Sequence, residues 1–403
     1  MNNLNTTPSG ERIKIAIFGK RNAGKSSLIN ALTGQDLAIV SPVLGTTTDP
    51  VEKNMELLPL GAVTLVDTPG IDDTGDLGQL RVDKAYQWLD KSDIVLLVLD
   101  SRKEMDEMEL ALLSLIKKRG LPHLLVWNKK DLLEEVSSPQ KEGIYVSAET
   151  KEGIEELKEA LGKFEQAKKS DDLLSGVSYL KKKIVLVIPI DKAAPKGRII
   201  HPQQQAIRAA LDRDLISVVL TPQKLASYLE TNQDTDLVIC DSQVFKEVSA
   251  LVPEEIPLTS FSILMARYRG DFKTLIAGIL GIENLKDGDT VLIAEGCTHH
   301  RQCEDIGTVK LPRWIQAYNK KTLNFAFTSG GTFPKDLSEY ALVVHCGGCM
   351  LGRAELISRI GVAKSKDVPM TNYGVLIAYI NGILKRILSP FEEVRDLRER
   401  INQ

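Results

Sequence analysis

Ile13-Lys14-Ile15-Ala16-Ile17-Phe18 runs directly into Gly19-Lys20-Arg21-Asn22-Ala23-Gly24-Lys25-Ser26, and Ser27 to Leu32 follows with helical spacing. An apolar strand, a glycine-rich loop and a helix in this order make a phosphate-binding loop in the context its chemistry requires. Gly19 and Gly24 let the backbone turn so that its N–H groups surround phosphate oxygens. Lys25 neutralises the β and γ phosphates, and the Ser26 hydroxyl ligates Mg²⁺. Ser27, which opens the helix, belongs to the same nucleotide-binding set. A plain glycine-rich turn is the alternative, and the segments downstream remove it.

Leu65-Val66-Asp67-Thr68-Pro69-Gly70 reads as a strand ending in an aspartate for the Mg²⁺ shell and a glycine whose N–H can meet the γ-phosphate. Asn128-Lys129-Lys130-Asp131 follows the apolar stretch His123 to Trp127. The Asp131 carboxylate can accept from guanine N1 and the 2-amino group, donors that adenine lacks in that pattern. Ser147-Ala148, after Ile144-Tyr145-Val146, closes the base pocket. The expected ligands are therefore GTP or GDP with Mg²⁺, and the expected reaction is GTP hydrolysis, with Lys25, Thr47, Asp67 and Gly70 as its catalytic set. Gly45-Thr46-Thr47-Thr48-Asp49 resembles the switch segment of Era/TrmE-like GTPases, and Thr47 matches their Mg²⁺-ligating threonine. Ile71 stands where Ras-like proteins carry a water-positioning glutamine, so intrinsic hydrolysis should be slow. Asn22 sits where TrmE-like GTPases hold K⁺, although asparagine is also a common turn former.

The chain has 403 residues, enough for two or three domains, with a net charge of −3 and an apolar content of 43%. Such a balance predicts no broad nucleic-acid or membrane surface. No apolar run reaches the ~18 residues of a spanning helix. The polar start from Met1 to Gly10 has no signal-peptide core, and five cysteines point to a reducing cytoplasm and not to disulfides. From Ile184 to Leu251 strands and helices alternate, which predicts a small open sheet of parallel strands. An open sheet has edges to cover or pair, which suits a dimerisation module. No internal repeat is evident.

Four of the five cysteines and three of the five histidines lie between Cys297 and Cys349. They form two half-sites, Cys297-Thr298-His299 and His345-Cys346-Gly347-Gly348-Cys349, with 45 residues between His299 and His345. Each half-site follows a predicted strand, Asp289 to Ala294 and Tyr340 to Val344, so distant ligands can meet at strand ends. Three readings stay open on these residues alone. The thiolates could hold a 4Fe–4S cluster with a fourth non-cysteine ligand, or zinc with one histidine, or they could act as redox thiols. Candidates for the fourth position are His299, His345, Glu304 and Cys303.

The order of GTPase motifs, α/β unit, Cys-x-His and His-Cys-x-x-Cys resembles the HydF family, the maturation GTPases of FeFe-hydrogenase. The resemblance covers nearly the whole chain. It implies Cys297, Cys346 and Cys349 as ligands of a 4Fe–4S cluster, with His299 or His345 as possible further ligands. It also implies a homodimer, and a carrier role between two radical-SAM maturases and the apo-hydrogenase for a two-iron precursor bearing CO and cyanide. The expected architecture is α/β throughout: a GTP-binding domain over 1–167, a dimerisation domain over 180–263 and a cluster domain over 268–403. The rival expectation is a zinc-containing TrmE/Era-like GTPase acting in RNA modification or ribosome assembly.

Overall fold

Among the described residues, continuous apolar runs flanked by glycine and helical segments build three sheets. The computed structural model describes residues 7–34, 50–72, 82, 85–133, 142–167, 172–178, 180–190, 199–296 and 305–401. The chain divides into two compact units, Met1–Lys169 and Ser170–Gln403.

In the first unit, β1 (Ile13–Phe18), β2 (Val51–Leu57), β3 (Gly61–Asp67), β4 (Ile94–Asp100), β5 (His123–Asn128) and β6 (Ile144–Tyr145) form one sheet. Their order is β2-β3-β1-β4-β5-β6. All neighbours are parallel except β2, which runs antiparallel to β3. β1 and β4 are buried on both faces, as central parallel strands under helices must be. β2 alternates exposed and half-buried residues, the pattern of an edge strand. The phosphate loop leaves the end of β1 and enters the helix Lys25–Thr33. That register, with Ile17 beside Asp67, brings loop and β3 end together.

In the second unit, β7 (Lys183–Val187), β8 (Ile216–Leu220), β9 (Leu237–Cys240) and β10 (Leu258–Ser260) form a parallel sheet ordered β10-β9-β7-β8. A second parallel sheet, ordered β12-β11-β13-β14, joins β11 (Thr290–Ala294), β12 (Asn324–Thr328), β13 (Leu342–His345) and β14 (Met370–Asn372). Counted along the chain, both sheets have the order 2-1-3-4. The structure thus contains a repeat where the sequence reading finds none, because the likeness lies in topology more than in residue identity. One hydrophobic core runs under both sheets, from Leu173 through Val185, Ile239 and Ile293 to Phe391 and Ile401. Val177 bridges Phe391, Ser178 N donates to Pro390 O at 2.9 Å, and the Phe391 ring meets Phe272 edge-on at 5.1 Å. The last residues of the unit therefore close onto its first.

Residues 272–284, a run with helical spacing, form two elements. An α-helix, Phe272–Ala277, gives way to a 3₁₀ stretch, Gly278–Asn284. At Gly278 the backbone approaches β14 so closely that a Cβ would lie 2.0 Å from Met370 O. The tighter winding accompanies that approach.

Candidate functional site

Two positions in the phosphate loop require glycine. Gly19 has φ +152°, and a Cβ there would lie 2.3 Å from Val98 O on β4. Gly24 has φ +92°, and its Cβ would meet Asn128 Nδ2 at 2.1 Å. Asn22 adopts φ +58°, a left-handed conformation that asparagine tolerates better than most residues. Lys25 is buried, and its ammonium donates to Gly19 O at 3.0 Å and Lys20 O at 2.9 Å. Ser26 Oγ donates to Asp67 Oδ2 at 2.5 Å, so the two expected Mg²⁺-shell oxygens stand side by side. Burial raises the Asp67 pKa above the ordinary carboxylate value, and the Ser26 hydroxyl and Lys25 act against it. A cation beside both oxygens would reverse that shift.

Thr68 Oγ1 donates to Ile17 O at 2.7 Å, tying the end of β3 to β1. Gly70 leaves space for Arg21, whose Cγ would lie 2.5 Å from a Cβ there. Asp72 Oδ1 accepts from Arg21 N at 2.7 Å, and Ile71 is buried. Buried Ile71 offers no group to orient a water. Thr47 lies outside the described residues.

The base pocket is held from several strands. Asn128 is 2% exposed; its Nδ2 donates to Ala23 O at 3.0 Å and its Oδ1 accepts from Ala148 N at 3.0 Å. One side chain thus locks the phosphate loop to the loop after β6. Lys129 has φ +66°, and its ammonium meets Asp100 Oδ2 at 2.9 Å. Asp131 is exposed at the mouth. Buried Ser147 accepts from Thr150 N at 3.0 Å. Asp100 escapes sequence reasoning. Arg102 first, and Lys129 after it, hold its carboxylate well below the usual range. Its signal was its position at the C-terminal end of β4, one strand from the phosphate loop.

In the second unit the register Ala294 to His345 sets the ends of β11 and β13 side by side. Cys346 Sγ accepts from Gly296 N at 3.0 Å and from Gly348 N at 3.4 Å. Gly296 precedes Cys297, so the flanks of the two half-sites touch through that sulfur. Cys297, His299, Cys303 and Glu304 themselves lie outside the described residues. Burial and then Cys349 push the Cys346 thiol up to about 11, while burial raises Cys349 against the pull of Arg269. Two half-buried thiols at Cys-x-x-Cys spacing, one already receiving two backbone N–H groups, are soft donors of the kind that iron–sulfur and zinc sites both use. Gly348, at φ +65°, supplies the turn between them. Among the described residues no group of three His, Cys, Asp or Glu side chains is placed to hold a metal.

His345 is 1% exposed and both ring nitrogens are engaged. Nδ1 lies 2.8 Å from Cys346 O and Nε2 lies 3.1 Å from Arg359 Nη1. With the guanidinium donating to Nε2, the proton sits on Nδ1 and goes to the Cys346 carbonyl. Burial first, and the Arg359 charge second, lower the His345 pKa to about 3, so the ring is neutral. Arg359 also donates to Gly330 O at 2.6 Å and to Glu355 Oε1 at 2.9 Å. In this arrangement His345 fixes the peptide of Cys346. Arg359, Glu355 and buried Glu295, which accepts from Tyr373 Oη at 3.4 Å, carry no motif that marks them in the sequence.

A phosphate loop, its Mg²⁺-shell pair and a guanine-selective loop on one sheet define a P-loop GTPase, an enzyme that hydrolyses GTP. Residues 14–129 match the 50S ribosome-binding GTPase family. Residues 173–270 match the hydrogen maturase F dimerization domain and residues 273–390 the hydrogen maturase F tetramerization domain. The chain belongs to the hydrogen maturase F family. Its GTPase domain is also similar to the tRNA modification GTPase MnmE of Nitrosomonas europaea, at 41% identity over 160 residues, 38% of this chain and 34% of that one. The Bordetella petrii enzyme of the same name is 34% identical over 154 residues, 38% of this chain and 33% of that one. The chain spans about a third of the length of these curated relatives. The cytosolic domain of the T. maritima FeoB iron transporter in a GDP form is 29% identical, covers 40% of this chain and 64% of that chain, and has a TM-score of 0.32. No described helix is long and apolar enough to cross a membrane.

Proposed function

We propose that this chain is a GTP-hydrolysing scaffold that carries an iron–sulfur cluster in the maturation of FeFe-hydrogenase. The observation that carries the proposal is the sulfur of Cys346, held by Gly296 N–H and Gly348 N–H at the end of β13 in a chain with hydrogen maturase F domains. On this reading Cys297, Cys346 and Cys349 hold a 4Fe–4S cluster. The cluster supplies one iron without a thiolate, open to an exchangeable ligand. A two-iron precursor bearing CO and cyanide is the cargo, taken from two radical-SAM maturases and passed to the apo-hydrogenase. Residues 1–167 bind and hydrolyse GTP, residues 180–263 pair two copies and residues 268–403 carry the cluster. Ile216 and Val219, half exposed on edge strand β8, support pairing through the middle sheet. Asn22 would hold K⁺ beside the phosphates, and the ion would bring there the positive charge that an arginine finger supplies elsewhere.

The test is anaerobic purification followed by iron and sulfide analysis. Cys297→Ser, Cys346→Ser and Cys349→Ser should each lose the cluster and hydrogenase activation, while Cys303→Ser keeps both. Cluster loss in Cys303→Ser would mean four cysteines close the site. Zinc in place of iron in the unaltered protein would return the RNA-modification or ribosome-assembly alternative.

A further inference from the structure

The loop from Cys346 to Cys349 rests on a helix from the neighbouring part of the unit. A Cβ at Gly347 would lie 3.6 Å from Met265 Cβ and 3.7 Å from Ser262 Oγ, so the helix Phe261–Arg269 forms the floor of that loop. This helix falls within the residues that match the dimerization domain, whereas both cysteines fall within those that match the tetramerization domain. Its last residue, Arg269, is 3% exposed and donates from Nη1 to Leu351 O at 2.7 Å. The helix that follows the loop, Arg353–Ser365, is tied to the same segment. Arg353 Nη1 donates to Tyr268 O and Lys364 Nζ to Asp271 Oδ2, both at 2.7 Å.

Leu351, the residue Arg269 holds, touches the flanks of both half-sites. Its N–H donates to Gly348 O at 2.9 Å, which closes the turn between the two cysteines. Its buried side chain covers Gly296, where a Cβ would come within 2.8 Å of Leu351 Cγ. Gly296 in turn donates to Cys346 Sγ and precedes Cys297. The guanidinium also acts by its charge: burial raises the Cys349 thiol, and Arg269 opposes that rise. A guanidinium does not lose its proton in a protein, and a buried one is weakly screened. We propose that Arg269 is a positioning residue of the cysteine site, clamping the second half-site through Leu351 and placing a fixed positive charge that favours the reduced form of a bound iron–sulfur cluster. Reduction adds one electron and one negative charge, and net charge is among the factors that set such potentials. The proposal rests on the reading of Cys297, Cys346 and Cys349 as cluster ligands. The clamp is therefore tested without metal and the charge with it.

The full chain is compared with Arg269→Gln, Arg269→Lys and Leu351→Ala, with circular dichroism as the check on folding. In the metal-free protein, hydrogen–deuterium exchange of peptides spanning Gly296 and residues 346–351 should run at least roughly tenfold faster in Arg269→Gln and in Leu351→Ala. Unchanged exchange in either folded variant overturns the clamp. The protein reconstituted anaerobically with iron and sulfide is then titrated with dithionite and followed by EPR. At a fixed potential the ratio of reduced to oxidised cluster should fall at least roughly tenfold in Arg269→Gln, a downward shift of ~59 mV for a one-electron couple. Arg269→Lys, which keeps the charge, should hold the unaltered ratio, and so should Leu351→Ala, which keeps the cation and loosens the loop. A ratio unchanged in Arg269→Gln overturns the charge role, as does a ratio that falls in Arg269→Lys or equally in Leu351→Ala. An unaltered protein that takes up no iron overturns the cluster reading, and the exchange rates still decide the clamp.

Discussion

Asp131 is the side chain we propose to select guanine. It stands exposed at the mouth of a pocket whose floor, Asn128, is locked to Ala23 and Ala148. Asp131→Asn removes two charge-assisted acceptors for guanine. GTP affinity should fall about 100-fold, close to 3 kcal/mol, and xanthosine nucleotides should be preferred. Isothermal titration with both nucleotides checks this, and an unchanged GTP preference would remove Asp131 from the pocket. Arg359 is the counterpart in the second unit. Arg359→Leu takes the cation from a Glu355 carboxylate that is 5% exposed and leaves His345 Nε2 without its donor. The expected cost is about 3–5 kcal/mol in urea unfolding. A loss below about 1 kcal/mol would show that the network adds little to stability. Arg359 was invisible in the sequence because its partners come from β13, Gly330 and the preceding helical turn. Asp131 was legible because its motif is four consecutive residues.

Among elements, the phosphate loop is the best specified by its own residues. Gly19 and Gly24 are demanded by contacts with Val98 and Asn128, and the asparagine between them already adopts a left-handed φ. If Asn22 is a K⁺ ligand, hydrolysis should run roughly tenfold or more faster in KCl than in NaCl at matched ionic strength, about 1.4 kcal/mol of transition-state stabilisation. Asn22→Ala should lose that preference. Equal rates in the two salts would exclude the ion. The elements that escaped sequence reading have physical reasons for doing so. β2 alternates Glu52, Asn54 and Glu56 with half-exposed residues, so it carries no apolar run. β10 and β14 are three residues each, too short for a periodic signal. The helix Tyr373–Ile380 is buried nearly all round, which leaves no amphipathic stripe to detect.

At the scale of the molecule, the phosphate loop and the proposed cluster ligands belong to separate compact units. Lys25 belongs to Met1–Lys169, and Cys346 and Cys349 to Ser170–Gln403. Lys25→Ala should therefore lower GTP hydrolysis about 1,000-fold or more while iron and sulfide content stays unchanged. Loss of the cluster in a folded Lys25→Ala protein would contradict this division.

The closure of Phe391 onto Val177 and Phe272 also governs how the protein is made. The first unit has all its residues once Lys169 leaves the ribosome. The second must wait for Phe391, so synthesis holds its apolar faces open for about 10–45 s at bacterial-to-eukaryotic elongation speeds. During that interval the nascent chain is a finished nucleotide-binding unit trailing an unsealed one, a natural client for a holdase chaperone.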